Sequence, residues 1–147
     1  MKILGKTLKE YIWPIKFYIL ASILIVVSQY YIGLPLREQY PLILRITQGL
    51  WAAMVALSVL TLVRMYKDFD MKNVIVLGVF YSIIIHGLKA FVFRVFLFPY
   101  EHIPSDQIFM YLINKFLYGS FLVMGISVIT GIIFIYLRNK NQLGNKV

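Results

Sequence analysis

The sequence has no cysteine and few charged residues for its length. The missing cysteine excludes disulfide bonds, thiolate metal sites and cysteine nucleophiles. Only 14% of the 147 residues are charged, 61% are hydrophobic, and the mean hydropathy is +0.79. Soluble domains are about 45–50% apolar and about 25% charged, so this composition excludes a water-soluble globular protein. The 11 Phe and 11 Tyr also exclude a disordered chain.

Acidic residues are especially scarce. Six Asp and Glu stand against 15 Lys and Arg, which gives a net charge of +9. None of the acidic residues falls in the long apolar runs, which argues against ion-coupled carriers and aspartyl intramembrane proteases. Because the cations sit at the edges of those runs, we expect them to set membrane orientation and contact anionic lipid, and we expect no nucleic-acid partner.

Four apolar runs dominate what is present. At 1.5 Å per residue each is close to the roughly 30 Å thickness of the hydrocarbon core, and none shows the frequent turns of a membrane β-barrel. The sequence therefore predicts an all-α, integral membrane four-helix bundle that forms a single domain over 1–147. The predicted spans are about 17–36, 46–63, 73–98 and 116–137.

Residues that typically interrupt or cap helices lie at the ends of these spans. All five prolines are predicted to lie at or beyond span ends, since proline disrupts a helix interior. Ser105 and Asp106, just after Pro104, are predicted to cap the N-terminus of the fourth helix.

The cations divide unequally between the two sides of the predicted bundle. Ten lie on the side of the termini and five on the other, which by the positive-inside rule predicts that both termini are cytoplasmic. The compact build and this charge pattern favour the bacterial plasma membrane as the location of a multi-pass protein.

The third span contains the polar residues that most need an explanation. Gly78, Ser82, His86 and Lys89 share one face of an α-helix, and Arg94 is expected to be rotated away from it. An ionisable group at membrane depth costs several kcal/mol (about 3 on insertion scales) unless it finds water or a partner, so this stripe is the default site hypothesis. Alternatively, Lys89 and Arg94 extend their charges to lipid headgroups, and His86 is a neutral, hydrogen-bonded core histidine.

Cations on the side away from the termini suggest a binding site. Arg45, Lys89, Arg94 and Lys115, with Arg37 close behind, are predicted to bind an anionic lipid headgroup or a phosphorylated ligand. In the alternative interpretation the acidic residues on that side neutralise them in pairs; these are Glu38, Glu101 and Asp106.

Catalytic and cofactor chemistry has little support. Ser82 and His86 are four residues apart, but no nucleophile turn or oxyanion motif accompanies them. Haem binding between two histidines is not expected, because only His86 lies in a span. Glu101, His102 and Asp106 form a weak metal pattern. No metal or cofactor is therefore expected.

Three classes of function remain, in order of preference. The first is a non-catalytic accessory, regulatory or sensing subunit, oligomeric or bound to a larger membrane partner. Small residues four apart, such as Gly49 and Ala53, are expected to pack helices within the bundle or, alternatively, to face another protomer or partner. The second is binding or translocation of an anionic lipid or phosphorylated ligand. The third is a membrane-embedded enzyme acting through Ser82, His86 and Lys89.

Overall fold

A computed structural model describes residues 2–97 and 106–144. A short antiparallel β-hairpin, with β1 at Lys2–Ile3 and β2 at Lys6–Thr7, precedes four helices. These are α1 (Leu8–Gly33), α2 (Leu42–Met65), α3 (Met71–Leu97) and α4 (Ile108–Gly144). Each is long and apolar enough to cross a membrane. The all-α prediction with four such helices is confirmed.

The helices extend beyond most of the predicted spans. Helix α1 begins nine residues before position 17, because Thr7 and Glu10 form a reciprocal capping box at its start. It ends at Gly33, three residues before the end of the predicted span. Pro14 therefore lies inside α1, contrary to the prediction, in a turn of 3-10 helix at Trp13–Ile15 that accommodates the missing N–H.

The fourth helix also begins differently from the prediction. Helix α4 starts at Ile108, and the carbonyl oxygen of Gln107 accepts a hydrogen bond from the Tyr111 N–H. Asp106 is thus one residue too early to be its cap. Ser105 and Phe98, the last residue of the predicted third span, lie outside the described residues.

The bundle core is continuous, and its outer surface is apolar. Helix α4 packs against α2 and α3, and α1 packs against α2. Val26, Val55, Leu77 and Val123, one from each helix, are fully buried or nearly so. Large apolar side chains are exposed on all four helices, as expected for surfaces that face lipid; examples are Phe17, Ile46, Ile83 and Phe121.

Close contacts between α3 and α4 depend on glycine. A Cβ added at Gly78 would lie 2.7 Å from Met124 Sδ, and one at Gly131 would lie 2.8 Å from Val74 Cγ1. Gly119 is the tightest, with its added Cβ only 1.9 Å from His86 Nδ1. Small residues let helix backbones approach closely in membranes, so these glycines fix the face of α3 that meets α4.

The end of the bundle that holds both termini is held together by cations. Lys6 is buried, and its ammonium group donates to both carboxylate oxygens of Asp68, at 2.8 and 2.7 Å, in the loop between α2 and α3. It also lies 4.3 Å from the ring centroid of Tyr66. Arg138, from α4, donates to the carbonyl oxygens of Tyr66 and Phe69 in the same loop. The hairpin and α4 thus both hold this loop.

Candidate functional site

A cavity of about 750 Å³ lies between the helices at the end opposite the termini, and all four helices contribute to its walls. Its residues come from the last turns of α1 and α3, the first half of α2 and the first half of α4. Ala52 is ten residues beyond the start of α2 at Leu42, so the cavity reaches about 15 Å into the bundle.

Four cationic side chains line this cavity. They are Arg37, Lys89, Arg94 and Lys115, and no acidic residue is among the lining residues in the described part of the chain. Lys89 is buried, with only 9% of its surface exposed, whereas Arg37 and Lys115 are exposed. The buried position of Lys89 does not fit the alternative in which it extends its charge to the headgroups.

The structure brings together three of the four predicted ligand-binding cations. Lys89, Arg94 and Lys115 share the cavity, but Arg45 is exposed and is not among its lining residues. Arg37, which the prediction placed close behind these four cations, lines the cavity instead of Arg45. It lies in the turn after α1, four residues beyond Gly33, and no periodic pattern in the sequence marks it.

Arg94 reaches the cavity because the second half of α3 is π-helical. The turn type changes at Ile83 and continues to Leu97. In an α-helix, Arg94 would be about 140° around the axis from Lys89. The i→i+5 hydrogen bonds of a π-helix widen each turn and reduce that separation. The expectation that Arg94 points away from the Lys89 face is therefore wrong.

Two tyrosines hold the Arg94 guanidinium. Its Nη1 donates to the Tyr111 hydroxyl at 2.8 Å, and its Nε donates to the Tyr30 hydroxyl at 3.4 Å. The Tyr30 hydroxyl in turn donates to the carbonyl oxygen of Lys89 at 3.2 Å. Tyr111 also lies beneath Lys115, whose Nζ is 5.2 Å from the ring centroid. These contacts join α1, α3 and α4 around the cations.

Three residues of the inner cavity wall carry polar atoms that are not exposed in the cavity. Gln29 Oε1, Trp51 Nε1 and His86 Nε2 are buried, and none has a partner in the described part of the chain. The His86 ring meets the Trp51 ring edge-on at a centroid distance of 5.7 Å. Lys89 Nζ lies 5.4 Å from the Trp51 ring centroid. His86 is therefore not the hydrogen-bonded core histidine of the alternative interpretation.

The predicted polar stripe of α3 faces α4. Gly78 meets Met124 and Ser127, and the Ser82 hydroxyl donates to the Ser120 carbonyl oxygen at 3.4 Å. No hydrogen bond joins Ser82 to His86, both of which are described. This stripe is thus a packing surface that ends in the cavity at His86 and Lys89.

Within the described ranges, no acidic residue lines the cavity. Among residues 2–97 and 106–144, the one salt bridge joins Lys6 and Asp68 at the other end of the bundle. Glu101 belongs to the predicted acidic pairs and to the weak metal pattern, and His102 belongs to the metal pattern. Both residues lie outside the described part of the chain. No cluster of metal-ligating side chains occurs within the described ranges.

No family model, curated protein or solved structure matches this chain, so the cavity and its cations are the basis for inferring a function.

Proposed function

We propose that this chain is a non-catalytic, multi-pass membrane protein that binds a phosphate group, carried by an anionic lipid or another phosphorylated ligand, in the cavity between its helices. The observation that supports this most directly is the convergence of Arg37, Lys89, Arg94 and Lys115 on one cavity. Arginine and lysine side chains are the usual protein partners of phosphate.

The energetics of Lys89 also support an anionic ligand. A buried ammonium group costs several kcal/mol (on the order of 3) in lost hydration unless an opposite charge or hydrogen-bond acceptors compensate. No described acidic residue lines the cavity to provide that charge. A bound phosphate would pair with Lys89, and Arg94 is already held in position by Tyr30 and Tyr111. Such preorganisation reduces the entropy lost on binding.

The membrane location and orientation are part of the proposal. We place the protein in the bacterial plasma membrane with both termini in the cytoplasm, so that the cavity opens toward the outer leaflet. The ten-to-five division of cations supports this orientation. Trp13, with Lys16 Nζ 3.9 Å from its ring centroid, suits a position at the cytoplasmic interface.

Thermal unfolding in neutral detergent tests the binding proposal. A short-chain anionic phospholipid at about 100 times its Kd should raise the Tm by roughly 5–10 °C, since a ligand that binds only the folded state stabilises it. Short-chain phosphatidylcholine should have no such effect. Arg37→Gln and Lys115→Gln should each reduce the shift. Arg45→Gln removes an exposed arginine outside the cavity and should retain it. Equal shifts in Arg37→Gln and Arg45→Gln would argue against the proposed site.

A role as an accessory or regulatory subunit remains a second candidate. Gly49 and Ala53 are exposed and four residues apart on α2, and an added Cβ at Gly49 would meet nothing within 4 Å. Such pairs support close contact with another membrane helix. Because the chain has no cysteine, Ala53→Cys, at the member of the pair that does not line the cavity, gives one reporter thiol. A disulfide-linked dimer after mild oxidation would support self-association, and a monomer would argue against a second copy at this face.

A further inference from the structure

The cavity between the helices is larger than a phosphate group needs. Its volume of about 750 Å³ lies within the roughly 300–1,000 Å³ of sites that enclose a whole small molecule, and a phosphate group fills only the part beside the cations. Beyond the cations, the wall includes the apolar side chains of Ala52 on α2 and of Leu122 and Ile126 on α4. This division favours a ligand that has an apolar part as well as a charged one.

The apolar part of the cavity runs along the helix axes. Ile126, the deepest lining residue of α4, lies eleven residues beyond Lys115, which is about 16 Å along the helix. Half of a hydrocarbon core of roughly 30 Å is about 15 Å. The distance from the cations to the deep end of the wall thus matches the depth that one lipid chain spans between its headgroup and the bilayer centre.

The cavity is open to the outer surface of the bundle between α2 and α4. Gly49 on α2 is exposed, as are Tyr118 and Leu122 on α4, at 70% and 47%, although all three line the cavity. Among the described residues, a Cβ added at Gly49 would meet nothing within 4 Å. This seam is therefore a side entrance to the cavity.

Side-chain contacts close the other seams beside the cavity, between α1 and α2, α1 and α3, and α3 and α4. These contacts are Gly33 with Leu44, Tyr30 with Phe93, and Phe91 with Phe116. An entrance confined to one seam, at the level of the cations, admits a lipid that does not leave the membrane.

Resting on the proposed function, we infer that the ligand is a membrane lipid with an anionic phosphate headgroup, which enters sideways between α2 and α4. Its phosphate pairs with Lys89, Arg94 and Lys115, and one acyl chain lies along Leu122 and Ile126. The cations select the headgroup. The apolar wall accepts the chain because lipid chains and leucine side chains are equally apolar. A water-soluble phosphate ester would leave that wall uncovered.

Quenching of Trp51 fluorescence by brominated acyl chains tests this inference, because bromine quenches tryptophan only at short range. Trp51 lines the cavity and is 4% exposed, and Trp13→Phe removes the second of the two tryptophans. This variant is reconstituted in phosphatidylcholine bilayers that contain increasing fractions of dibrominated phosphatidylglycerol or dibrominated phosphatidylcholine. Half-maximal quenching should need about tenfold less of the brominated phosphatidylglycerol, because basic residues strengthen the binding of an anionic headgroup.

A substitution at the side entrance provides the matched comparison in the same Trp13→Phe background. Gly49→Phe should obstruct the seam and reduce the tenfold preference to about twofold. Ala53→Phe adds the same ring four residues further along α2, at an exposed position that does not line the cavity, and it should retain the preference.

The outcomes separate this inference from the proposed function. Equal quenching by the two brominated lipids, or a preference that Gly49→Phe leaves unchanged, would overturn the lateral lipid site. In that case a rise in Tm with glycerol 3-phosphate, which has the phosphate but no acyl chain, identifies a soluble ligand and leaves the proposed function intact. If the two lipids quench equally and neither glycerol 3-phosphate nor an anionic lipid raises the Tm, the proposed function fails as well.

Discussion

At the scale of single residues, Gly119 controls the position of His86. The glycine lies on α4 directly against the imidazole ring, and an added Cβ would overlap Nδ1 at 1.9 Å. His86 in turn contacts the ring of Trp51, so a displacement at Gly119 reaches the inner wall of the cavity.

Gly119→Ala should therefore destabilise the protein by about 1–3 kcal/mol, the usual cost of overpacking, and weaken ligand binding. Gly125→Ala is the matched control in the same helix, because its added Cβ meets nothing within 4 Å. It should be neutral or more stable by up to about 1 kcal/mol, since alanine favours helix. Thermal unfolding in detergent measures both. Equal losses in the two variants would contradict the contact between Gly119 and His86.

Asp68 links stability to pH at the other end of the bundle. Hydrogen bonds from the buried Lys6, together with its charge, hold the pKa of Asp68 below its usual value. A carboxylate with a lowered pKa in the folded state stabilises that state above its unfolded pKa, and the contribution disappears as the pH falls through the folded pKa.

The contact between Lys6 and Asp68 should accordingly persist at neutral pH and be lost below about pH 4. Hydrogen exchange of residues 2–7 measures this loss as a lower protection factor, which compares the observed rate with the intrinsic exchange rate at the same pH. Asp68→Asn should show low protection at neutral pH, and its protection factors should stay the same as the pH falls from 7 to below about 4, where those of the wild type decrease. A wild-type protection pattern in Asp68→Asn would show that the ion pair does not hold the hairpin.

At the scale of elements, the π-helical half of α3 is the feature that assembles the site. Lys89 and Arg94 both lie in it, and Tyr30 from α1 hydrogen-bonds to the Lys89 carbonyl oxygen and to the Arg94 side chain. Tyr30 also stacks on Phe93 at a centroid distance of 4.5 Å. Irregular turns of this kind are frequent at functional sites, which agrees with the position of the cavity.

Tyr30→Phe tests this arrangement with little change in packing. It removes the hydroxyl group and keeps the ring on Phe93, so stability should fall by only about 1 kcal/mol. Affinity for the anionic ligand should fall about three- to tenfold, because Arg94 is less well held. Tyr136→Phe, at a tyrosine that is 65% exposed, should change neither quantity. Unchanged affinity in Tyr30→Phe would remove Tyr30 from the site.

At the scale of the whole molecule, the sequence predicts the helices better than the site. Long apolar runs identify four helices because each run alone is enough to cross a bilayer. Their polar ends are harder to predict: Thr7 and Glu10 extend α1 toward the N-terminus through a cap, although the apolar run starts only at Phe17. The helix that results places Lys16 against Trp13.

The site depends on features that helical periodicity does not encode. Arg94 enters the cavity through a change of turn type, and Arg37 enters from a turn. The contact between Lys6 and Asp68 spans 62 positions, with no local pattern to indicate it. Lys89 and His86, by contrast, were identifiable from sequence because polar residues are rare and costly inside membrane helices.

Orientation in the membrane is tested with single cysteines in this naturally cysteine-free chain. Glu38→Cys lies in the exposed turn after α1, and Lys140→Cys lies near the end of α4, both outside the apolar core. On intact bacterial cells a membrane-impermeant maleimide should label residue 38, and it should label residue 140 only after permeabilisation. The reverse pattern would place both termini outside and the cavity in the inner leaflet.

Native mass spectrometry of the protein purified from its membrane measures most directly whether the cavity holds an anion. We expect one retained anionic phosphate compound per chain in the wild type. Arg37→Gln/Lys115→Gln should lose it. Arg45→Gln/Lys140→Gln, which removes one arginine and one lysine at exposed positions outside the cavity, should keep it. Equal retention in the two double variants, or a wild type that carries only zwitterionic lipid, would contradict an anion-binding cavity.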